Sequence, residues 1–152
     1  MHSTITAPES TALSLTDPAS DATARAVGVV GFGAIALIHV LDLQAKIHET
    51  PYLAVAYLAL VLGMLVAGFD LIRGHTRRGW LVGGVLAAAT FAGYSVNRTW
   101  GLPGATDDIG NWLEPLGLAS LFVEASVALL AGWALAASQA GQDVRELARR
   151  PR

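Results

Sequence analysis

The residue best placed to do chemistry is Glu124, a carboxylate within an otherwise apolar run that extends from Pro115 to about Ala140. If that run is a helix, Glu124 lies roughly 13 Å from its start by helix rise. A carboxylate at such a depth in a membrane is costly unless it is paired, protonated or facing water. Glu124 is therefore the first candidate for a functional group.

Two roles for Glu124 compete, with a position facing lipid or a second subunit as a third. In the structural role the carboxyl group is protonated or bonded to Tyr94, Asn97 or Ser120, and it locks helices together. In the functional role it pairs with Arg98, or it binds a cation or a proton in an outward-facing cavity. The sequence leaves these alternatives open.

His39 and Asp42 form a second candidate site, because residues three apart share one face of a helix. Imidazole and carboxylate groups suit Zn, Mn, Fe or Cu(II), and Glu124, Glu114 or His48 would complete the ligand set. The metal hypothesis places a divalent ion on His39, Asp42 and Glu124. The simpler interpretation is that Asp42 accepts the imidazole N–H at the end of a helix.

Most polar groups lie on one side of the predicted membrane domain, which we call the outer side. Its fixed charges are the acids Asp42, Glu49, Asp107, Asp108 and Glu114 and the cations Lys46 and Arg98. This excess of acids favours cationic ligands. The ligand-binding candidates are Glu124, Arg98, His39, Asp42 and Glu114.

Two further acidic features have ordinary interpretations. Asp107 and Asp108 lack the alternating acids of a calcium-binding EF-hand loop. We expect them to lie in a solvated loop that caps a helix at Asn111. Asp70 is expected to pair with Arg73 one turn further along its helix.

Composition indicates a polytopic membrane protein. The chain of 152 residues is 53% hydrophobic and 14% charged, with a mean hydropathy of +0.49, whereas soluble domains average about 25% charged residues. The absence of cysteine excludes disulfides and thiolate sites. A net charge of -2 gives no reason to expect nucleic acid as a partner.

The apolar runs predict an all-α, four-transmembrane-helix bundle over residues 23–141. The helices are expected at about 24–45, 52–73, 79–98 and 113–140. Residues 1–22 are predicted to be a disordered tail, and residues 142–152 a basic tail. Glycine and alanine at spacings of four predict helix contact faces at Gly63/Ala67, Gly79/Gly83/Ala87 and Gly84/Ala88.

The basic residues predict the orientation. Eight of the ten Lys and Arg residues lie in the 73–78 link, in the C-terminal segment or at Arg25. The positive-inside rule then places both termini in the cytoplasm. An aromatic belt would place Trp80 and Trp133 at the inner interface, and Trp100 and Trp112 at the outer one. We expect a multi-pass protein of the plasma (inner) membrane.

Nucleotide and haem cofactors are disfavoured. The glycines of residues 28–36 imitate a dinucleotide fingerprint, but that motif requires a strand before it and a βαβ unit after it. Here the apolar run continues unbroken, so close helix contact is the better interpretation. Bis-histidine haem would need a second histidine at membrane depth, whereas His48 lies in a predicted loop and His75 on the opposite side.

The loop after the third helix carries a family resemblance. Residues 98–104 read R-T-W-G-L-P-G, and residues 120–124 read S-L-F-V-E. This pattern resembles small, uncharacterised four-helix bacterial membrane proteins in which an R-T-x-G-L-P-G loop leads into an S-L-x-x-E helix. The likeness covers roughly residues 35–135. It implies the four-helix membrane fold and no particular activity.

Three classes of function follow. The first is a non-enzymatic accessory or small-ligand or cation-binding module with an outward-facing polar site. The second is a small transporter or channel subunit that acts as an oligomer. The third is a membrane-embedded metal or redox enzyme that uses His39, Asp42 and Glu124. The expected partners are the lipid bilayer and either a second copy of the chain or another membrane protein, and enzymatic activity is not favoured.

Overall fold

The computed structural model describes residues 18–149, and within them the chain is helical apart from short links. The helices are α1 (Pro18–Glu49), α2 (Pro51–Ile72), α3 (Thr76–Trp100) and α4 (Pro115–Arg149), with a 3₁₀ turn at Thr106–Asp108 between α3 and α4. All four contain a segment long and apolar enough to cross a membrane. The predicted all-α four-helix bundle is confirmed.

The first and last helices, α1 and α4, are longer than predicted. Residues 18–22, which were expected in the disordered tail, belong to α1. The first turns of α1 are held by an ion pair between Arg25 and Asp21 at 3.1 Å and by a hydrogen bond from Thr23 Oγ1 to the carbonyl of Ala19. Helix α4 continues to Arg149. The remaining parts of the predicted tails, residues 1–17 and 150–152, lie outside the described residues.

The links explain where the helices begin and end. Pro51 stands at the start of α2, where a missing N–H costs nothing. The predicted turn signal after α3 is confirmed: Gly101 and Gly104 have φ values of 80° and 75°. These values lie in the left-handed region that favours glycine. The chain can therefore turn away from α3 and return to α4.

The helices form an antiparallel bundle in chain order. Helix α1 packs against α2 and α4, and α3 packs against α2 and α4, while α1 and α3 face each other across the diagonal with little direct contact. Short links between neighbours favour this up-and-down arrangement. All four helices therefore surround one axis.

One half of this axis is closed by side chains, and we call it the closed half. Phe32 of α1 is 1% exposed and meets the ring of Trp80 edge-on, with a centroid distance of 6.0 Å. Ile35, Met64 and Leu71 are also buried here. The belt prediction is wrong for Trp80, which is 3% exposed, because its ring fills the space between helices instead of meeting headgroups.

The predicted small-residue contacts are confirmed at Gly63, Gly79, Gly83 and Gly84, whereas Ala88 is exposed. A Cβ atom at Gly83 would run into the ring of Phe32, and one at Gly63 would meet Leu86 of the next helix. Gly28 and Gly31, which belong to the fingerprint-like segment, lie inside α1 and face Trp80 and Val127. These glycines let the helices approach closely, as they do in membrane bundles.

Candidate functional site

The other half of the bundle is hollow. A cavity of about 660 Å³ lies between all four helices and beneath the loop that joins α3 to α4. The five predicted ligand-binding residues line it: Glu124, Arg98, His39, Asp42 and Glu114. Its volume lies within the range of about 300–1,000 Å³ that is usual for small-molecule sites. The lining also includes apolar side chains such as Leu60, Leu86 and Ile38.

Glu124 lies at the deep end of this cavity and has no exposed surface. Its Oε1 accepts a hydrogen bond of 2.5 Å from Ser120 Oγ, one turn earlier on α4. Within the described part of the chain its Oε2 has no hydrogen-bond partner. Ser120 was one of the three partners considered for the structural role, and half of the carboxyl group remains unpaired.

His39 faces Glu124 from α1. The Nδ1–H group of His39 donates to the carbonyl oxygen of Ile35 at 2.9 Å, because a carbonyl oxygen can only accept. The other ring nitrogen, Nε2, then lies 3.8 Å from Oε1 of Glu124. The ring of Tyr57 from α2 meets the imidazole edge-on, at a centroid distance of 4.6 Å. Three helices thus bring an acid, a base and a phenol to one place.

Asp42 is joined to this group through Tyr57. Its Oδ2 accepts a hydrogen bond of 3.2 Å from the Tyr57 hydroxyl. Among residues 18–149 no three His, Asp or Glu side chains are arranged to hold a metal ion. The predicted ligands His39, Asp42 and Glu124 therefore line one cavity without forming such a group, and the Asp42 carboxylate is bound by the Tyr57 hydroxyl.

Arg98 binds the loop instead of Glu124. Its NH1 donates to Oδ1 of Asp108 at 2.6 Å and to the Asp108 carbonyl at 3.2 Å, and its NH2 lies 3.7 Å from Glu114. The guanidinium also covers the ring of Tyr94, with its carbon 4.8 Å from the centroid. The proposed Arg98–Glu124 pair is therefore not formed, because Asp108 and Glu114 lie nearer the end of α3.

Asp108 is the residue of this site that the sequence interpretation missed. It was expected in a solvated loop, yet its side chain is only 25% exposed. It accepts a second hydrogen bond from Asn97 Nδ2 at 2.9 Å and lies 3.8 Å from Lys46. Burial alone would raise the pKa of Asp108, but the Asn97 bond and the charges of Lys46 and Arg98 lower it below its ordinary value. The loop is clamped by an ionised aspartate.

The loop is anchored at three further points. Asn97 Oδ1 accepts the backbone N–H of Leu102 at 2.9 Å, and the backbone N–H of Gly110 donates to the Arg98 carbonyl at 2.8 Å. The Tyr52 hydroxyl of α2 donates to the carbonyl of Pro103 at 2.7 Å. The loop is therefore fixed across the end of the cavity.

Glu114 has a structural task at the start of α4. Its carboxylate accepts the backbone N–H groups of Leu116 at 3.0 Å and Gly117 at 2.7 Å. These donors are unpaired at every helix start, so Glu114 caps α4. The expected cap at Asn111 is wrong, because α4 begins only at Pro115. Both carboxylate oxygens of Glu114, which was predicted to bind a ligand, thus already accept backbone hydrogen bonds.

The charges of the cavity divide into a compensated rim and an uncompensated floor. Near the rim, Glu49 lies 3.1 Å from Lys46, and Asp108 is held by Arg98. Deeper in the cavity, Asp42 accepts a hydrogen bond from Tyr57 and Glu124 meets Ser120 and His39, while the charge of Lys46 acts on Asp42 from beyond ion-pair distance. Within the described residues neither deep carboxylate forms an ion pair with Lys or Arg. A ligand that carries positive charge would meet its best partners on the floor.

The opposite end of the bundle carries a separate cluster. Asp70 is buried at 5% exposure, and its carboxylate lies 3.1 Å from Nε of Arg78 and 3.6 Å from His75. The expected pair with Arg73 is wrong: Arg73 lies over the ring of Phe69, 5.0 Å from the centroid. The tight turn after α2 brings the first residues of α3 back over Asp70, so a partner from the next helix replaces the local one.

Comparison of the chain with protein-family models, with curated proteins and with solved structures gives no match. The class of protein therefore follows from the helices themselves. Four helices that can each span a bilayer, packed as one bundle, define a polytopic membrane protein in contact with lipid.

Proposed function

We propose that this protein is a non-enzymatic, membrane-embedded module that binds a small organic cation in its cavity. The observation that carries the proposal is the cavity floor, where Asp42 and Glu124 form no ion pair with Lys or Arg among the described residues and Glu124 has no exposed surface. An ionised carboxylate without a countercharge at membrane depth costs several kcal/mol. A bound cation would offset that cost.

The lining favours an organic cation over a bare metal ion. The cavity is far larger than a dehydrated ion, and its walls combine apolar side chains with the rings of Tyr57 and Tyr94. Aromatic faces bind quaternary ammonium groups through cation–π attraction. An amphipathic molecule with a cationic head therefore matches both the floor and the walls.

The closed half of the bundle argues for binding instead of conduction through one chain. The cavity lining ends at Ile38, Leu60 and Leu86, and the next layers are filled by Phe32 and Met64. The described residues of the closed half therefore separate the cavity from the opposite end of the bundle. This geometry supports a binding module over a channel formed by a single chain.

The orientation belongs to the same proposal. Arg73, Arg77 and Arg78 lie at the end opposite the cavity, whereas Lys46 and Arg98 are the basic residues at the cavity end. The positive-inside rule then directs the cavity outward and both termini into the cytoplasm of a bacterial inner membrane. The resemblance to small four-helix bacterial membrane proteins is consistent with this placement and stays a prediction.

The experiment is thermal unfolding of the purified full chain in detergent with two probes that share a benzyl group. Benzyltrimethylammonium is permanently cationic, and benzyl alcohol is neutral. At ten times its Kd the cationic probe should stabilise the protein by about 1.4 kcal/mol, and benzyl alcohol should stabilise it less. Equal shifts with both probes would refute the cation preference, and no shift with either would refute the binding function.

A matched pair of variants tests the location. Gly93 lines the cavity and has open space around its Cβ position, so the side chain of Gly93→Leu should occupy part of the cavity without a direct clash at Cβ. Gly132 also has open space but is exposed on α4, away from the cavity. Both changes remove a helical glycine. The cationic probe should stabilise Gly132→Leu as it does the unaltered protein and should lose its effect on Gly93→Leu.

A further inference from the structure

His39 and Glu124 form an acid–base pair across the deep end of the cavity. Their helices, α1 and α4, place Nε2 and Oε1 3.8 Å apart. Because Nδ1 of His39 is engaged by the Ile35 carbonyl, Nε2 is the ring nitrogen that can accept or release a proton here. The gap is longer than a direct hydrogen bond, so a third group can contact both side chains.

The pair is electrically neutral only when it carries one proton in addition to the proton on Nδ1 of His39. If the proton is on Glu124, both side chains are neutral; if it is on Nε2 of His39, the two form an ion pair. In either state the net charge is zero, and loss of the proton leaves one negative charge. A lone charge is strongly unfavourable at this depth in a bilayer.

The surrounding charged groups do not replace that proton. Helix α1 contributes Asp42 and Lys46, α2 contributes Tyr57, α3 contributes Tyr94 and Arg98, and Glu114 stands before α4. The two fixed cations among them contact rim carboxylates: Lys46 with Glu49, and Arg98 with Asp108. Asp42 adds negative charge nearby. A positive charge at the His39–Glu124 pair must therefore come from a proton or from a ligand.

We infer that a cationic ligand and this proton exclude each other, so that binding of one organic ammonium group releases one proton from the His39–Glu124 pair. The ligand's positive charge takes the place of the proton beside Oε2 of Glu124, the carboxylate oxygen without a partner in the described chain. The displaced proton passes to the bulk solvent, and the site stays neutral in both states. The inference rests on the binding function proposed above and adds its regulation by pH.

The test is calorimetric titration of the full-length protein with benzyltrimethylammonium, in two buffers that differ in ionisation enthalpy. This probe has no ionisable proton, so every proton released comes from the protein. We expect about one proton per bound probe, and an affinity that rises about tenfold for each unit of pH while the pair is protonated. The proton count of the unaltered protein decides the question without depending on the folding of any variant.

Variants then locate the proton. Glu124→Gln keeps a side-chain oxygen for Ser120 and should abolish proton release, whereas Asp107→Asn, at an exposed loop carboxylate, should leave it unchanged. Binding without proton release would overturn the inference and leave the binding function intact. Failure of the probe to bind at any pH would overturn both, and proton release that persists in Glu124→Gln would place the exchange on another group.

Discussion

Asp108→Asn is the substitution that tests the loop clamp most directly. The carboxylate of Asp108 accepts hydrogen bonds from Arg98 at 2.6 Å and Asn97 at 2.9 Å, and Lys46 lies 3.8 Å away. The Arg98 side chain is only 7% exposed, so its positive charge is stabilised by the Asp108 carboxylate instead of by water. Asparagine has nearly the same shape as aspartate. The change therefore removes the charge and one acceptor while it preserves the packing.

The expected cost follows from the two bonds. A hydrogen bond to a charged group contributes about 1.5–3 kcal/mol and a neutral one about 0.5–1.5 kcal/mol, so the Arg98 contact weakens by roughly 1–1.5 kcal/mol. The new amide has only one oxygen. Its NH₂ group must therefore face a donor, either Asn97 Nδ2 or Arg98, which costs about a further 1 kcal/mol. Together these losses predict a destabilisation of about 2–2.5 kcal/mol.

The assay is reversible unfolding of the purified protein in mixed micelles with a rising fraction of sodium dodecyl sulfate. Asp107→Asn is the matched control, because Asp107 is the adjacent aspartate in the same turn and is exposed. An exposed substitution of this kind should stay within about 0.5 kcal/mol of the unaltered protein. If the two variants have equal unfolding free energies at pH 7, the clamp does not stabilise the fold and the reasoning is refuted.

The same variant predicts a pH dependence. Burial opposes ionisation of Asp108, but Asn97, Lys46 and Arg98 outweigh it, and the pKa in the folded protein lies below the ordinary value. A lowered folded pKa gives stability that is fully present above the unfolded pKa of about 3.9. That stability is lost as the pH falls through the folded pKa. The difference between the unaltered protein and Asp108→Asn should therefore be constant from about pH 5 to 8, because this range lies above the unfolded pKa of about 3.9. It should shrink in stronger acid. A difference that did not shrink there would contradict the assignment.

Two other predictions concern the helices. Gly83→Ala should destabilise the bundle by about 1–3 kcal/mol in the same assay, because its new Cβ would meet the ring of Phe32. Gly93→Ala has open space at Cβ and should be neutral or slightly stabilising. Equal effects of the two changes would exclude close packing at Gly83. Tyr57→Phe should cost about 1 kcal/mol and weaken binding of the cationic probe, since it removes the hydroxyl whose 3.2 Å hydrogen bond positions Asp42. Unchanged probe affinity would exclude a role of this hydroxyl in binding.

The local features of the sequence predicted the elements well. Long uncharged runs predicted the helices, and the glycines at 101 and 104 predicted the turn, because hydropathy and backbone freedom are properties of short segments. The one-sided distribution of polar residues also predicted which end of the bundle would hold the cavity. In the described structure all five candidate residues line it.

The pairing of those residues depended on the tertiary structure. Arg98 was considered as a partner of Glu124, yet the folded loop offers Asp108 at 2.6 Å. Asp70 was paired with its neighbour in sequence, yet α3 folds back to supply Arg78. A charged side chain pairs with the opposite charge that lies nearest to it in the folded chain. The distance between the two depends on the path of the loops, which no periodic pattern in the sequence predicts.

By itself, the sequence determined that this protein has four apolar helices joined by short links. It also determined that one carboxylate lies at a depth where an unpaired charge is costly. Only the tertiary structure decided that Glu124 meets His39 and Ser120 while Arg98 turns to the loop. The reason is physical. Hydrophobicity acts on each segment independently, so it can be read residue by residue. Partner choice depends on the rotation and depth of helices relative to one another, and the packing of residues such as Phe32 against Gly83 sets both.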